Sequence, residues 1–108
     1  MLAEKKCEPC GPDTKPLSPE AITELLAQTP GWALDPDGKA IERRFTFKNF
    51  KQALALVGKV SAIAEEEGHH PDIALGWGYA GFRLLTHSID GLHENDFIMA
   101  SKINALGT

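Results

Sequence analysis

Long apolar runs are missing from this 108-residue sequence. No window approaches the roughly 18 consecutive apolar residues that a membrane span needs, so a helical membrane protein is excluded and no membrane partner is expected. The first ten residues hold Lys5 and Lys6 with no apolar run after them. They do not read as a secretory signal, and a cytoplasmic location is expected. Basic charge is also scarce. The net charge is −4, and residues 55–108 set only Lys59, Arg83 and Lys102 against seven acidic groups. A surface that neutralises phosphates needs clustered Lys and Arg, so no nucleic-acid partner is expected. Cysteine is confined to Cys7 and Cys10, too few for a disulfide scaffold. Internal repeats and low-complexity stretches are absent, apart from two successive hairpin patterns.

What remains is an ordinary globular composition, 43% hydrophobic and 24% charged, enough for one core. Pro9, Gly11, Pro12 and Pro16 break up the amino end. The expectation is a flexible tail over residues 1–17 and a single domain over 18–108. Cys7-x-x-Cys10 falls in that tail, to be read as two exposed thiols or as half of a zinc site completed by histidines.

The domain begins with Ser18-Pro19, an N-cap followed by a proline at the first helical position. Asp35-Pro36-Asp37-Gly38 is a turn between a brief strand at Trp32–Leu34 and a second strand at Ile41–Phe47. Asn49 caps a long helix over residues 49–68. Phe50, Ala53, Leu54, Val57 and Ala64 recur at helical spacing and are assigned to its buried face. Leu56, Val60 and Ile63 form a second stripe, assigned to a subunit interface. Glu65-Glu66-Glu67 opposes the helix dipole at its C-terminus and does not serve helix stability. A second hairpin follows, from Ile73 to His87, and a last helix starts near Glu94-Asn95-Asp96. The order α-β-β-α-β-β-α predicts an α+β fold, an antiparallel sheet with its helices on one face.

In this reading His69, His70 and His87 meet at one edge of the sheet, because the two ends of a regular hairpin lie together. Glu65 stands about one turn before His69 and can face the same side. Three interpretations fit these residues. They are loop histidines bonded to backbone, a metal site, or a metal-free acid–base pair. No His-x-His or His-x-x-x-His spacing occurs, and adjacent imidazoles on extended backbone diverge.

Glu65, three residues, His69-His70-Pro71, five residues, Trp77, nine residues, His87, eight residues, Asp96: this series resembles the motif of the pterin-4a-carbinolamine dehydratases. Asp72-Ile73, Leu85-Thr86-His87-Ser88, Gly91-Leu92, Asn95-Asp96-Phe97 and Pro30-Gly31-Trp32 extend the likeness over residues 17–106. The resemblance implies four antiparallel strands with three helices on one face. It also implies dehydration of 4a-hydroxytetrahydropterin to quinonoid dihydropterin, which recycles the cofactor of aromatic amino acid hydroxylases. Further implied are a homo-oligomer, dimer or tetramer, and no cofactor or metal. On the matching positions, His69 and His87 become the proton-transfer pair, and His70 and Pro71 shape the pterin pocket. Glu65 orients a histidine or bonds the ring, Trp77 joins the substrate-binding set, and Asp96, at a helix start, either caps that helix or joins the substrate-binding set. Where relatives often place Thr or Ser, two residues after Gly91, this chain has His93. The mammalian relatives also act as dimerisation cofactors, which makes a protein-binding module the rival expectation.

Overall fold

The computed structural model describes residues 2–9 and 13–107. Three helices and four strands follow in the expected order: α1 (Pro19–Ala27), β1 (Ala33–Leu34), β2 (Ile41–Thr46), α2 (Phe50–Glu67), β3 (Asp72–Gly76), β4 (Tyr79–Leu84) and α3 (Glu94–Gly107). The sheet is antiparallel, in the order β1-β2-β4-β3.

Local chemistry sets most boundaries. Ser18 Oγ accepts from the Ala21 amide at the start of α1. Gly38, at φ 74°, completes the turn after β1 and donates to Asp35 O at 2.8 Å. Asn49 Oδ1 accepts from the Gln52 amide at 2.9 Å, and Gly68 ends α2 in the left-handed region at φ 67°.

The core lies on one face of the sheet. Ile41, Phe45, Ala80, Phe82 and Leu84 alternate inward and are buried beneath the helices. The stripe assignment on α2 is corrected here. Its buried residues are Ala53, Leu56, Val60 and Ala64, so Leu56 and Val60 belong to the chain's own core rather than to a subunit interface. Ile63 is half-buried at the margin. Phe50 and Leu54, assigned to the buried face, are 44% and 47% exposed. The two apolar stripes adjoin in one broad arc. Ala53, Leu56, Val60 and Ala64 mark the side of that arc turned inward, and Phe50 and Leu54 fall outside it.

The amino end also departs from expectation. Residues 2–9 lie against α3 rather than apart from it, with a short 3-10 turn at Leu2–Glu4 and Leu2 buried. This cover explains why Asn95 to Ala100 are buried all round the first turns of α3. A solvent-facing helix would show only one apolar stripe.

Candidate active site

His69 and His70 follow Gly68 directly, where the left-handed turn ends α2 and the chain bends into β3. His87 follows β4 in a single 3-10 turn, His87–Ile89, closed off by a Thr86–Gly91 bridge. The strand expected to run to His87 ends at Leu84. Because β3 and β4 pair antiparallel from Asp72↔Arg83 to Gly76↔Tyr79, all three histidines arrive at one end of the hairpin. They line a cavity of about 320 Å³ together with Glu8, Pro9, Thr86, Ser88 and Asn95. A larger concavity, about 540 Å³, runs over the sheet near Arg44, Gly81 and Arg83. It contains no histidine, so the smaller cavity is the candidate site.

Two of the imidazoles are held by carboxylates. His69 Nε2 lies 2.5 Å from Asp96 Oδ1, and His70 Nε2 lies 2.5 Å from Glu65 Oε2. The two pairs differ in setting. Glu65 and His70 are both exposed, whereas Asp96 is 0% exposed and His69 nearly buried. Asp96 Oδ2 also accepts from Thr86 Oγ1 at 2.9 Å and from the His93 amide at 3.0 Å. The other two groups aimed at this carboxylate are an O–H and an N–H donor, and the arrangement suits a His69 that also donates, from Nε2. The lone pair of His69 then resides on Nδ1.

None of the four expected substrate-binding residues, Glu65, Pro71, Trp77 and Asp96, lines the cavity. Asp96 is sealed behind His69 and has no surface for a ligand. Trp77 sits in the β3–β4 turn and is 70% exposed. It stands at the opposite end of the hairpin, a five-residue strand or roughly 17 Å from the histidines. Pro71 begins the run into β3 but does not line the cavity. Glu65 likewise meets His70 from outside the cavity.

His93 proves to be the cap of α3. Its Nδ1 accepts from the Asn95 amide at 3.0 Å, while Asp96 reaches back to the His93 amide. This is a capping box with an imidazole in place of the usual hydroxyl. Residues that sequence reasoning missed are Glu8, Pro9, Asn95 and the supporting Thr86; of these, only Asn95 and Thr86 stand beside motif positions. Cys7 is half-buried, its Sγ 3.7 Å from Asn95 O. Burial, reinforced by the Glu67 carboxylate, pushes its thiol up to about 12. Cys10 lies outside the described residues. Among the described residues no group of three or more His, Cys, Asp or Glu side chains is arranged to hold a metal ion, and no helix is long and apolar enough to cross a membrane.

An α+β domain whose open hairpin end gathers three histidines over a buried carboxylate defines the class. Residues 15–106 match the model of the pterin 4 alpha carbinolamine dehydratase family, and the chain belongs to that family. A Halorhodospira halophila protein, provisionally named a pterin-4-alpha-carbinolamine dehydratase, is 51% identical over 106 residues, covering 98% of this chain and 97% of the relative. One from Aromatoleum aromaticum with the same provisional name is 50% identical, covering 97% and 94%. Among solved structures, a transcriptional coactivator/pterin dehydratase from Brucella melitensis superposes with a TM-score of 0.83 at 32% identity, over 87% of this chain and all of that one. A pterin dehydratase-like RuBisCO assembly factor of the alpha-carboxysome gives 0.62 at 26%, over 71% and 89%.

Proposed function

We propose that this chain dehydrates 4a-hydroxytetrahydropterin to quinonoid dihydropterin and water, and so recycles the tetrahydropterin used by aromatic amino acid hydroxylases in the cytoplasm. The observation that carries the reading is the convergence of His69, His70 and His87 on one cavity, with His69 backed by the buried Asp96. In the reaction the C4a–O bond breaks as the hydroxyl takes a proton and leaves as water. The N5–H proton departs, and its electron pair forms the C4a=N5 bond. One proton is given and one is taken, so an imidazole pair suffices. His69, with Nδ1 as its free lone pair, suits the base, and His87 the acid. His70, steadied by Glu65, forms a wall of the pocket. The test is a stopped-flow assay of carbinolamine dehydration with purified protein, in the presence and absence of a strong chelator. Acceleration well above the spontaneous rate, indifferent to chelation, is the expected result. A rate equal to the spontaneous one overturns the reading.

A homo-oligomer fits the exposed Phe50 and Leu54 on α2, since apolar side chains of that size side by side on a soluble surface favour a partner. The same pair supports the second reading, a protein-binding module. The solved neighbours are titled as a coactivator and as an assembly factor. Native mass spectrometry separates the two: a self-assembly that covers α2 leaves no surface for a foreign helix.

A further inference from the structure

The amino-terminal segment lies outside the family-matched residues 15–106, yet it is fastened to the domain by buried polar side chains. Asn95, itself buried, grips the backbone of Glu8 at two points. Its Oδ1 accepts from the Glu8 amide at 2.9 Å, and its Nδ2 donates to the Glu8 carbonyl at 2.6 Å. The Cys7 amide donates to Glu67 Oε1 at 2.8 Å. Lys102 Nζ donates to Ala3 O at 2.9 Å and stands 3.9 Å from Glu67 Oε2. Leu2 is buried at the far end of the segment. Glu67 is the residue whose charge opposes the dipole of α2, and its side chain is only 5% exposed. Set against the dipole, this carboxylate accepts from the segment and pairs with Lys102.

These contacts deliver Glu8 and Pro9 to the histidine cavity, where both contribute lining. Asn95 both lines the cavity and holds the segment. We infer that residues 2–9 form a substrate-retaining wall of the active site, and that Asn95 and Glu67 are positioning residues that hold this wall in place. The inference rests on the pterin reading of the cavity. A wall that encloses a ligand without exchanging protons governs how tightly the ligand is held and leaves the proton-transfer step alone, so its loss appears in KM rather than in kcat.

The test uses the full chain with Cys10→Ser, so that Cys7 is the only thiol and its alkylation rate reports whether the segment is docked. Two variants release the segment from opposite sides. Asn95→Ala removes both grips, and Glu8→Pro removes the amide that Asn95 accepts from without touching α3. Losing one or two such bonds corresponds to about a tenfold rise in KM, with kcat within about threefold and Cys7 alkylated several-fold faster. In the undisturbed chain, saturating 7,8-dihydropterin slows Cys7 alkylation. Faster alkylation with unchanged KM in both variants overturns the inference, because the wall has then left without consequence. Unchanged alkylation in both overturns it too, because the named contacts then hold nothing. If the undisturbed chain neither turns over the carbinolamine nor binds dihydropterin, the pterin reading falls and the inference with it. That failure is visible before any variant is made.

Discussion

His69 and Asp96 stand 27 residues apart in sequence and 2.5 Å apart in space, and the carboxylate that holds the imidazole also closes the first turn of α3. Its remaining partner, the Thr86 hydroxyl, comes from the segment that leads into His87. One buried side chain therefore joins the positions of both histidines assigned to proton transfer.

Asp96→Asn keeps the shape of the site but puts an amide N–H where His69 now donates. If the amide turns its NH₂ toward the ring, the imidazole must take the other tautomer. The expected result is a fall in kcat of about 10²–10⁴, the usual worth of a positioned acid or base, with KM little changed. Asp96→Ala should in addition destabilise the fold by about 1–3 kcal/mol for each buried donor left unpaired. Steady-state kinetics and urea unfolding check the two effects separately.

His69→Ala and His87→Ala should each lower kcat by about 10²–10⁴. The double change should cost less than the product of the singles, since acid and base act in one step. His93→Ala should behave differently. It removes the acceptor for the Asn95 amide, at a cost of about 0.5–2 kcal/mol in stability, and should leave the rate within a few-fold. Full activity in both single histidine variants would remove them from the mechanism.

The corrected faces of α2 make a paired prediction. Val60 is fully buried in the chain's own core, so Val60→Glu should unfold the protein by placing a charge among apolar neighbours. Leu54→Glu changes an exposed position and should leave the fold intact while lowering the mass seen by light scattering. Unaltered mass for Leu54→Glu would place any interface elsewhere.

Cys7 gives a pH dependence of known sign. Its thiol is raised from 9.0 to about 12 by burial first and by Glu67 second. The folded state therefore holds this proton more tightly than the unfolded chain does. The stability contributed by the neutral thiol is complete below pH 9 and is lost as pH rises toward about 12. In the Cys10→Ser background, alkylation of Cys7 should stay slow at pH 9, where an ordinary thiol is already half ionised. Loosening of the amino-terminal segment, followed by limited proteolysis, should set in only above that pH.

Sequence reasoning worked where the cause is local. The caps at Ser18 and Asn49 and the turn at Gly38 each depend on residues within a few positions. The histidine cluster was legible because hairpin pairing converts sequence spacing into a shared edge. The capping side of Asp96 is legible from its place at a helix start, but its hold on His69 and Thr86 is not, since those partners come from the end of α2 and from beyond β4. Spacing alone also gave no warning that Trp77 sits at the far end of the hairpin. The amino-terminal segment reads as loop because Lys, Glu and Pro make up most of it, and the side chains that hold it lie 60 to 99 residues away. On α2 the apolar arc was too broad for periodicity to select its inward side.

The imidazole cap of α3 has a further consequence. The hydrogen bond from the His93 amide ends on Oδ2 of the carboxylate whose Oδ1 holds His69, so any movement that withdraws Asp96 frees both at once. The exchange of that single backbone hydrogen with solvent deuterium then reports how often the buried carboxylate leaves its place. One peak in a nuclear magnetic resonance spectrum of the resting protein would carry a clock for the opening of the helix start beneath the histidines.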